Sequence, residues 1–151
     1  HLASYLKDTL NGIRSRQGGA AIEITLQAEE DIYVDIDPAH FRRIFLNLYE
    51  NSRFAIKAPG MITITARITE EQAEIQFRDS GAGIPQEKMD RIFTAFNTNR
   101  PGGTGLGLYL VREIVEAHQG TVTIESTEGK GTTVIITLPL AREEVEKHAA
   151  S

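Results

Sequence analysis

Residues 62–84, ITITARITEEQAEIQFRDSGAGI, decide the fold. Ile62, Ile64, Ala66 and Ile68 alternate with polar residues, and after the short polar stretch TEEQ the alternation resumes at Ala73, Ile75 and Phe77. A period of two on either side of a tight polar break predicts an antiparallel hairpin with one buried face. The second strand then runs straight into DSGAGI at 79–84. Gly81 and Gly83 permit positive φ or a close backbone approach, and Asp79 can place its carboxylate at the bottom of a cleft between strand and helix. Taken alone, the motif reads as a turn or as a site.

Upstream of this hairpin, Asp37 followed by Pro38 is a helix cap with proline at the first helical position. Phe41, Ile44, Phe45, Leu48, Ala55 and Ile56 follow at helical spacing, with an expected end near Pro59 and Gly60. Earlier still, residues 4–16 read as a helix, with Leu6, Leu10 and Ile13 behind a Ser4 cap and a stop at Gly18 and Gly19. Two strands are expected between these helices, one at Ile22, Ile24 and Leu26, the other at Ile32, Val34 and Ile36.

Downstream, a short helix is expected from Pro85 to Phe93, then a glycine-rich stretch, then a helix from Gly105 to His118 that is apolar on most sides. Arg112, Glu113 and Glu116 mark its solvent stripe. A second hairpin is written in Val122 and Ile124, the turn EGKG, and Val134, Ile136 and Leu138. Paired hairpins beside three longer helices, without regular alternation of strand and helix, predict an α+β fold. Its architecture is a two-layer α/β sandwich with a mixed, mostly antiparallel sheet and helices on one face. Residues 1–140 form one domain in this reading, and 141–151 a charged C-terminal tail.

Composition narrows the chemistry. The chain has 151 residues, enough for one ordinary domain with a self-sufficient core. It has no cysteine, which removes disulfide scaffolds, thiol nucleophiles, zinc ribbons and iron–sulfur clusters. A formal charge of −5 argues against nucleic-acid binding. No stretch has the length of a membrane span or the layout of a signal peptide, and no membrane contact by this domain is expected; the lack of cysteine makes a cytoplasmic location the easier fit. The start at His1 rather than Met suggests a piece of a longer protein, which could itself be membrane-anchored.

The glycine clusters match neither familiar nucleotide loop. In GGTGLGL at 102–108 the dinucleotide pattern fails at Leu108, and the phosphate-loop pattern fails because Gly107 precedes Leu rather than Lys. Gly103, Gly105 and Gly107 nevertheless open a helix, where free amides and the dipole favour an anion; tight packing of a buried helix would use the same glycines. Asn47 and Asn51 stand one turn apart beside the apolar stripe. Their amide oxygens are hard donors suited to Mg²⁺, and as ordinary helix-face residues they would need only polar neighbours.

The order of these features is more specific than any one of them. An Asn-bearing helix, a hairpin ending in DxGxG, then FxxF, then GTGLGL opening a helix resembles the catalytic, ATP-binding domain of bacterial sensor histidine kinases. That family lies in the superfamily of gyrase, heat-shock 90 chaperones and MutL, with the Bergerat-type ATP-binding fold. NLYENSRFAI at 47–56 looks like the N box, DSGAGI like the first glycine box, FTAF at 93–96 like the F box, and GTGLGL at 103–108 like the second glycine box. The six residues between Phe96 and Gly103 imply a short lid, similar to the nitrogen-regulator type.

By that resemblance Asn51 binds the Mg²⁺ that bridges the ATP phosphates, supported by Asn47. Asp79 accepts the exocyclic amine of adenine, while Gly81, Gly83 and Phe96 shape the nucleotide pocket. Gly103, Thr104, Gly105, Leu106 and Gly107 bring amides to the phosphates, and Arg100 reaches the outer ones. Some positions depart from the family pattern: Ser80 stands for Asn, Ala95 for Pro, Ser52 for Ala, and Phe54 for a frequent Lys. The last leaves Arg100, Arg53 and Lys57 as competing phosphate contacts.

The resemblance further implies that ATP with Mg²⁺ serves a phosphoryl transfer to a histidine on a separate dimerisation domain. From there the phosphate passes to the receiver domain of a response regulator, in two-component signalling. His1, His40, His118 and His148 lack the acceptor context and are expected to be surface or packing residues. Two other readings are a serine kinase like the anti-sigma factors of the same superfamily and a nucleotide-sensing module without catalysis.

Overall fold

In the computed structural model, residues 1–17, 21–56, 59–95, 107–141 and 149–150 are described. The elements run α1 (Leu2–Arg16), β1 (Ile22–Ala28), α2 (Pro38–Ala55), β2 (Gly60–Thr69), β3 (Gln72–Asp79), a 3-10 turn (Gln86–Arg91), α3 (Gly107–Ala117), β4 (Thr121–Thr127) and β5 (Gly131–Pro139). The five strands form one sheet in the order β1-β2-β3-β5-β4. β1 and β2 are parallel, joined across α2, and the other three neighbouring pairs are antiparallel. The expected mixed, mostly antiparallel sheet under helices is the architecture found.

The strand alternation sorts the two faces as read. Ile62, Ile64, Ala66, Ala73, Ile75, Phe77, Val134, Ile136 and Leu138 are buried, together with Ile22 and Ile24 of β1. Their intervening neighbours Thr63, Thr65, Gln76 and Thr133 are half-buried, and Arg67 and Arg78 are exposed on the open face. The break in TEEQ is a two-residue turn in which Glu70 and Glu71 both adopt positive φ, 48° and 65°. That left-handed pair matches the twist of the strands it joins, although neither residue is the Asn or Gly that such a turn prefers.

α2 starts as its sequence says. Asp37 accepts hydrogen bonds from the backbone amides of Ala39 and His40 at 3.0 and 3.2 Å, and Pro38 occupies the first turn. The His40 amide, chiefly, holds the Asp37 carboxyl below its usual range. Phe41, Ile44, Phe45 and Leu48 face the core, each contributing about 1.5–3 kcal/mol by its burial. The Tyr5 hydroxyl donates to the Pro38 carbonyl at 2.8 Å, tying α1 to the start of α2, and burial pushes its phenol up.

Three expectations need correction, and the short helix expected after Pro85 is met in 3-10 form. The cap of α1 is His1, whose ring accepts from the Ser4 amide, so Ser4 lies inside the first turn. Residues 32–36 alternate in burial but form no strand. The Ile32 carbonyl is taken by the Leu2 amide and the Tyr33 carbonyl by the Ala141 amide, both at 2.8 Å, so these groups serve the chain's two ends and not a ladder. The segment expected as a short helix after Pro85 is 3-10 from Gln86 to Arg91. Arg112 does not simply face solvent: it is half-buried, with its guanidinium carbon 5.7 Å from the centre of the Phe93 ring.

Candidate functional site around Asp79

Asp79 ends β3 in the middle of the sheet, paired with Ile62 of β2 on one side and Thr132 of β5 on the other. It is buried, with 8% of its surface exposed. Oδ1 accepts the Gly81 amide at 2.9 Å and the Thr132 amide at 3.3 Å. Oδ2 accepts the Ser52 hydroxyl at 2.8 Å. Three donors from three separate segments therefore fix the carboxylate, as burial of a charged group demands.

The turn after Asp79 is held between α2 and the β4–β5 hairpin. The Ala82 amide donates to the carbonyl of Ala55, the last residue of α2, at 3.0 Å, and the Ala82 carbonyl accepts the Gly129 amide at 2.6 Å. The Ile84 amide donates to the Ser126 hydroxyl at 2.8 Å. Gly81 is needed for proximity: a Cβ there would lie 2.8 Å from the Ala55 Cβ and 2.9 Å from Asp79 Oδ1. Gly83 is needed for conformation, with φ at +73° and the Thr127 carbonyl where a side chain would start. Both glycines have the roles the sequence allowed them.

Asn47 and Asn51 lie on α2, both half-buried. A Cβ on Gly107, the first described residue of α3, would sit 3.8 Å from Asn47 Oδ1, 3.8 Å from Asn51 Nδ2 and 3.9 Å from Asn51 Oδ1. The two side-chain amides and Gly107 of α3 thus lie close together, so that neutral oxygen donors from α2 and the backbone of α3 could serve one ligand. Such a donor set suits Mg²⁺, which takes one or two protein oxygens and fills its shell with phosphate and water. Among the described residues no group of three or more His, Cys, Asp or Glu side chains could hold a metal by itself.

Phe96, Arg100, Gly103, Thr104, Gly105 and Leu106 lie outside the described residues, as does Lys57. Arg53 is exposed and its guanidinium pairs with Glu50 at 3.1 Å. Ser80 has more of a task than its place beside the glycines suggested: its hydroxyl accepts the Met61 amide at 2.9 Å and extends the β2–β3 pairing by one step. The residue that sequence reasoning noticed only as a departure is Ser52. It follows Phe41, Phe45 and Leu48 on the apolar stripe, and a hydroxyl at a core position requires a partner.

The described histidines serve the fold. The His1 ring caps α1. His118 Nδ1 lies 2.7 Å from the Ile114 carbonyl, and its Nε2 accepts the Asp37 amide at 3.1 Å, which joins the end of α3 to the start of α2. His40 Nδ1 sits 3.6 Å from the Asp37 carboxylate. His148 lies outside the described residues.

Residues 36–142 match the family model described as histidine kinase-, DNA gyrase B- and HSP90-like ATPase. The chain is 42% identical over 140 residues to the sensor histidine kinase ZraS of Escherichia coli K12, covering 92% of this chain and 30% of that protein. Sporulation kinase E of Bacillus subtilis is 30% identical over 149 residues, covering 97% of this chain and 20% of its own length. The chain therefore spans less than a third of either relative. Among solved structures, the catalytic domain of histidine kinase ThkA superposes with a TM-score of 0.81 at 28% identity and covers 91% of both chains. Full-length ShkA in complex with AMPPNP superposes with a TM-score of 0.82 at 25% identity, over 93% of this chain and 30% of that one. No described helix is long and apolar enough to cross a membrane.

Proposed function

Because the chain belongs to the histidine kinase-, DNA gyrase B- and HSP90-like ATPase family, we propose that it binds Mg²⁺·ATP and presents the γ-phosphate to a histidine outside residues 1–151. The observation that carries this reading is the buried Asp79 carboxylate. It sits at the end of a central strand, beside a turn packed so closely on Ala55 and Thr127 that only glycine fits at 81 and 83. Adenine offers an amine that a carboxylate in this place accepts. The likeness to a protein bound to AMPPNP supports the same ligand class.

Asn51, with Asn47 one turn before it, would hold the metal, which when bound neutralises phosphate charge. The chain's own part is positioning. Asp79 orients the base, Gly81 and Gly83 let the backbone approach it, and the first amides of α3 at Gly107 face the phosphates. Phosphoryl transfer asks little covalent chemistry of the protein beyond this alignment. In the transfer, the bond from the γ-phosphorus to the ADP oxygen breaks and a bond to an imidazole nitrogen forms, with ADP leaving. The structural uses of His1, His40 and His118 support an acceptor elsewhere. Relay to the aspartate of a response-regulator receiver domain would follow, and the setting would be the cytoplasm.

Calorimetric titration of Mg²⁺·ATP tests the base assignment. Asp79→Asn is expected to weaken binding by about tenfold or more, since it replaces a charge-assisted acceptor with an amide that also donates. Unchanged affinity would remove Asp79 from the adenine site. The same titration with and without Mg²⁺ on Asn51→Ala should show the metal's contribution shrink.

A further inference from the structure

We infer that Ser52 is a positioning residue that makes Asp79 selective for a base carrying a single amine donor, an inference that rests on the adenine reading above. A carboxylate has about four lone-pair sites. Two on Oδ1 are taken by the Gly81 and Thr132 amides, and one on Oδ2 by the Ser52 hydroxyl. One acceptor site on Oδ2 is left. Because both oxygens are tied, the carboxylate plane cannot rotate to offer it elsewhere.

The hydroxyl is well placed for this work. Ser52 is 2% exposed and sits on the last full turn of α2, one residue after Asn51 and three before Ala55. Ala55 in turn bonds the glycine turn through its carbonyl. The helix that carries the two asparagines thereby also sets the angle of the carboxylate on β3, so the base and phosphate ends of the site share one rigid element. With Ala at this position, Oδ2 would keep two open sites and could take a water or turn.

The test compares ATP with purine riboside triphosphate, which has the same phosphates and ring but no 6-amino group, on wild-type protein and on Ser52→Ala, Ser52→Thr and Asp79→Asn. Ser52→Ala is expected to weaken ATP about five- to tenfold, the usual net weight of one ordinary hydrogen bond, because the serine acts on the base only through Asp79, and to leave the amine-free nucleotide unchanged. Ser52→Thr, which keeps the hydroxyl, should restore most of the preference. Equal weakening of both nucleotides in Ser52→Ala would overturn the inference and leave a structural role. An unchanged preference in Ser52→Ala, with the preference lost in Asp79→Asn, would overturn it while leaving the adenine reading intact. A wild-type protein with no preference between the two nucleotides would overturn both.

Discussion

Beneath α1 the sheet is covered by Leu2, Leu6, Leu10 and Ile13, all buried and apolar, with Thr9 the buried polar exception on that helix. At the end of β3 the same sheet buries a carboxylate and a serine hydroxyl, and two glycines stand where side chains would collide. The first region is held by area and volume, which are non-directional and sum over many contacts. The second is held by a few directed bonds to one group, and each has a particular donor. Damage should therefore read out differently: as lost stability in the first region, and as lost ligand affinity in the second.

The largest expected effect is in the apolar region. Phe45 is fully buried, with its ring 6.4 Å from that of Tyr5. Phe45→Ala should cost about 3–5 kcal/mol in urea unfolding, while the protein that remains folded keeps its nucleotide affinity. A parallel loss of affinity would show that the two regions are not separable. Next comes Gly81→Ala, whose methyl would push on Ala55 and the Asp79 carboxylate at once. It should cost about 1–3 kcal/mol of stability and abolish measurable ATP binding in the same titration; intact binding would mean that the turn tolerates displacement and the site is looser than drawn.

The smallest effect separates charge from geometry at the start of α2, away from the Asp79 site. Asp37 has its carboxyl held down chiefly by the His40 amide, then by the His40 ring and the Ala39 amide, with His118 also nearby. A lowered folded-state pKa contributes stability that is present above the ordinary carboxylate range and lost as pH falls through the lowered value. Asp37→Asn keeps a good cap without the charge. Its melting temperature should lie slightly below wild type at neutral pH, and the gap should close on acidification below the ordinary aspartate range. A gap that persists in acid would assign the difference to packing.

The same contrast explains what could be read from the sequence. The β2–β3 hairpin, its turn and the position of Asp79 follow from a period of two and its interruption, because burial on one face dictates them locally. Segment 32–36 has the same period and the same alternation of burial, yet pattern alone does not say where the backbone bonds go. Those bonds end on Leu2 and Ala141, far away in the chain. The Ser52–Asp79 contact was hidden for a similar reason, since it joins residues 27 apart and depends on where the last turn of α2 is aimed. The only local clue was a hydroxyl on an apolar stripe. Asn47 and Asn51 could be placed on one helix face by counting, but their approach to Gly107 depends on how α2 and α3 pack.

The segment at Ile32 and Tyr33 has a spatial consequence. Neighbouring residues hold Leu2 and Ala141, and β5 runs from Thr132 beside Asp79 to Pro139 beside Gln72 before reaching that point. At about 3.4 Å per residue, the anchor is roughly 25 Å from the carboxylate. The first helix and the end of the last strand are therefore joined at adjacent residues, remote from the corner that holds the carboxylate.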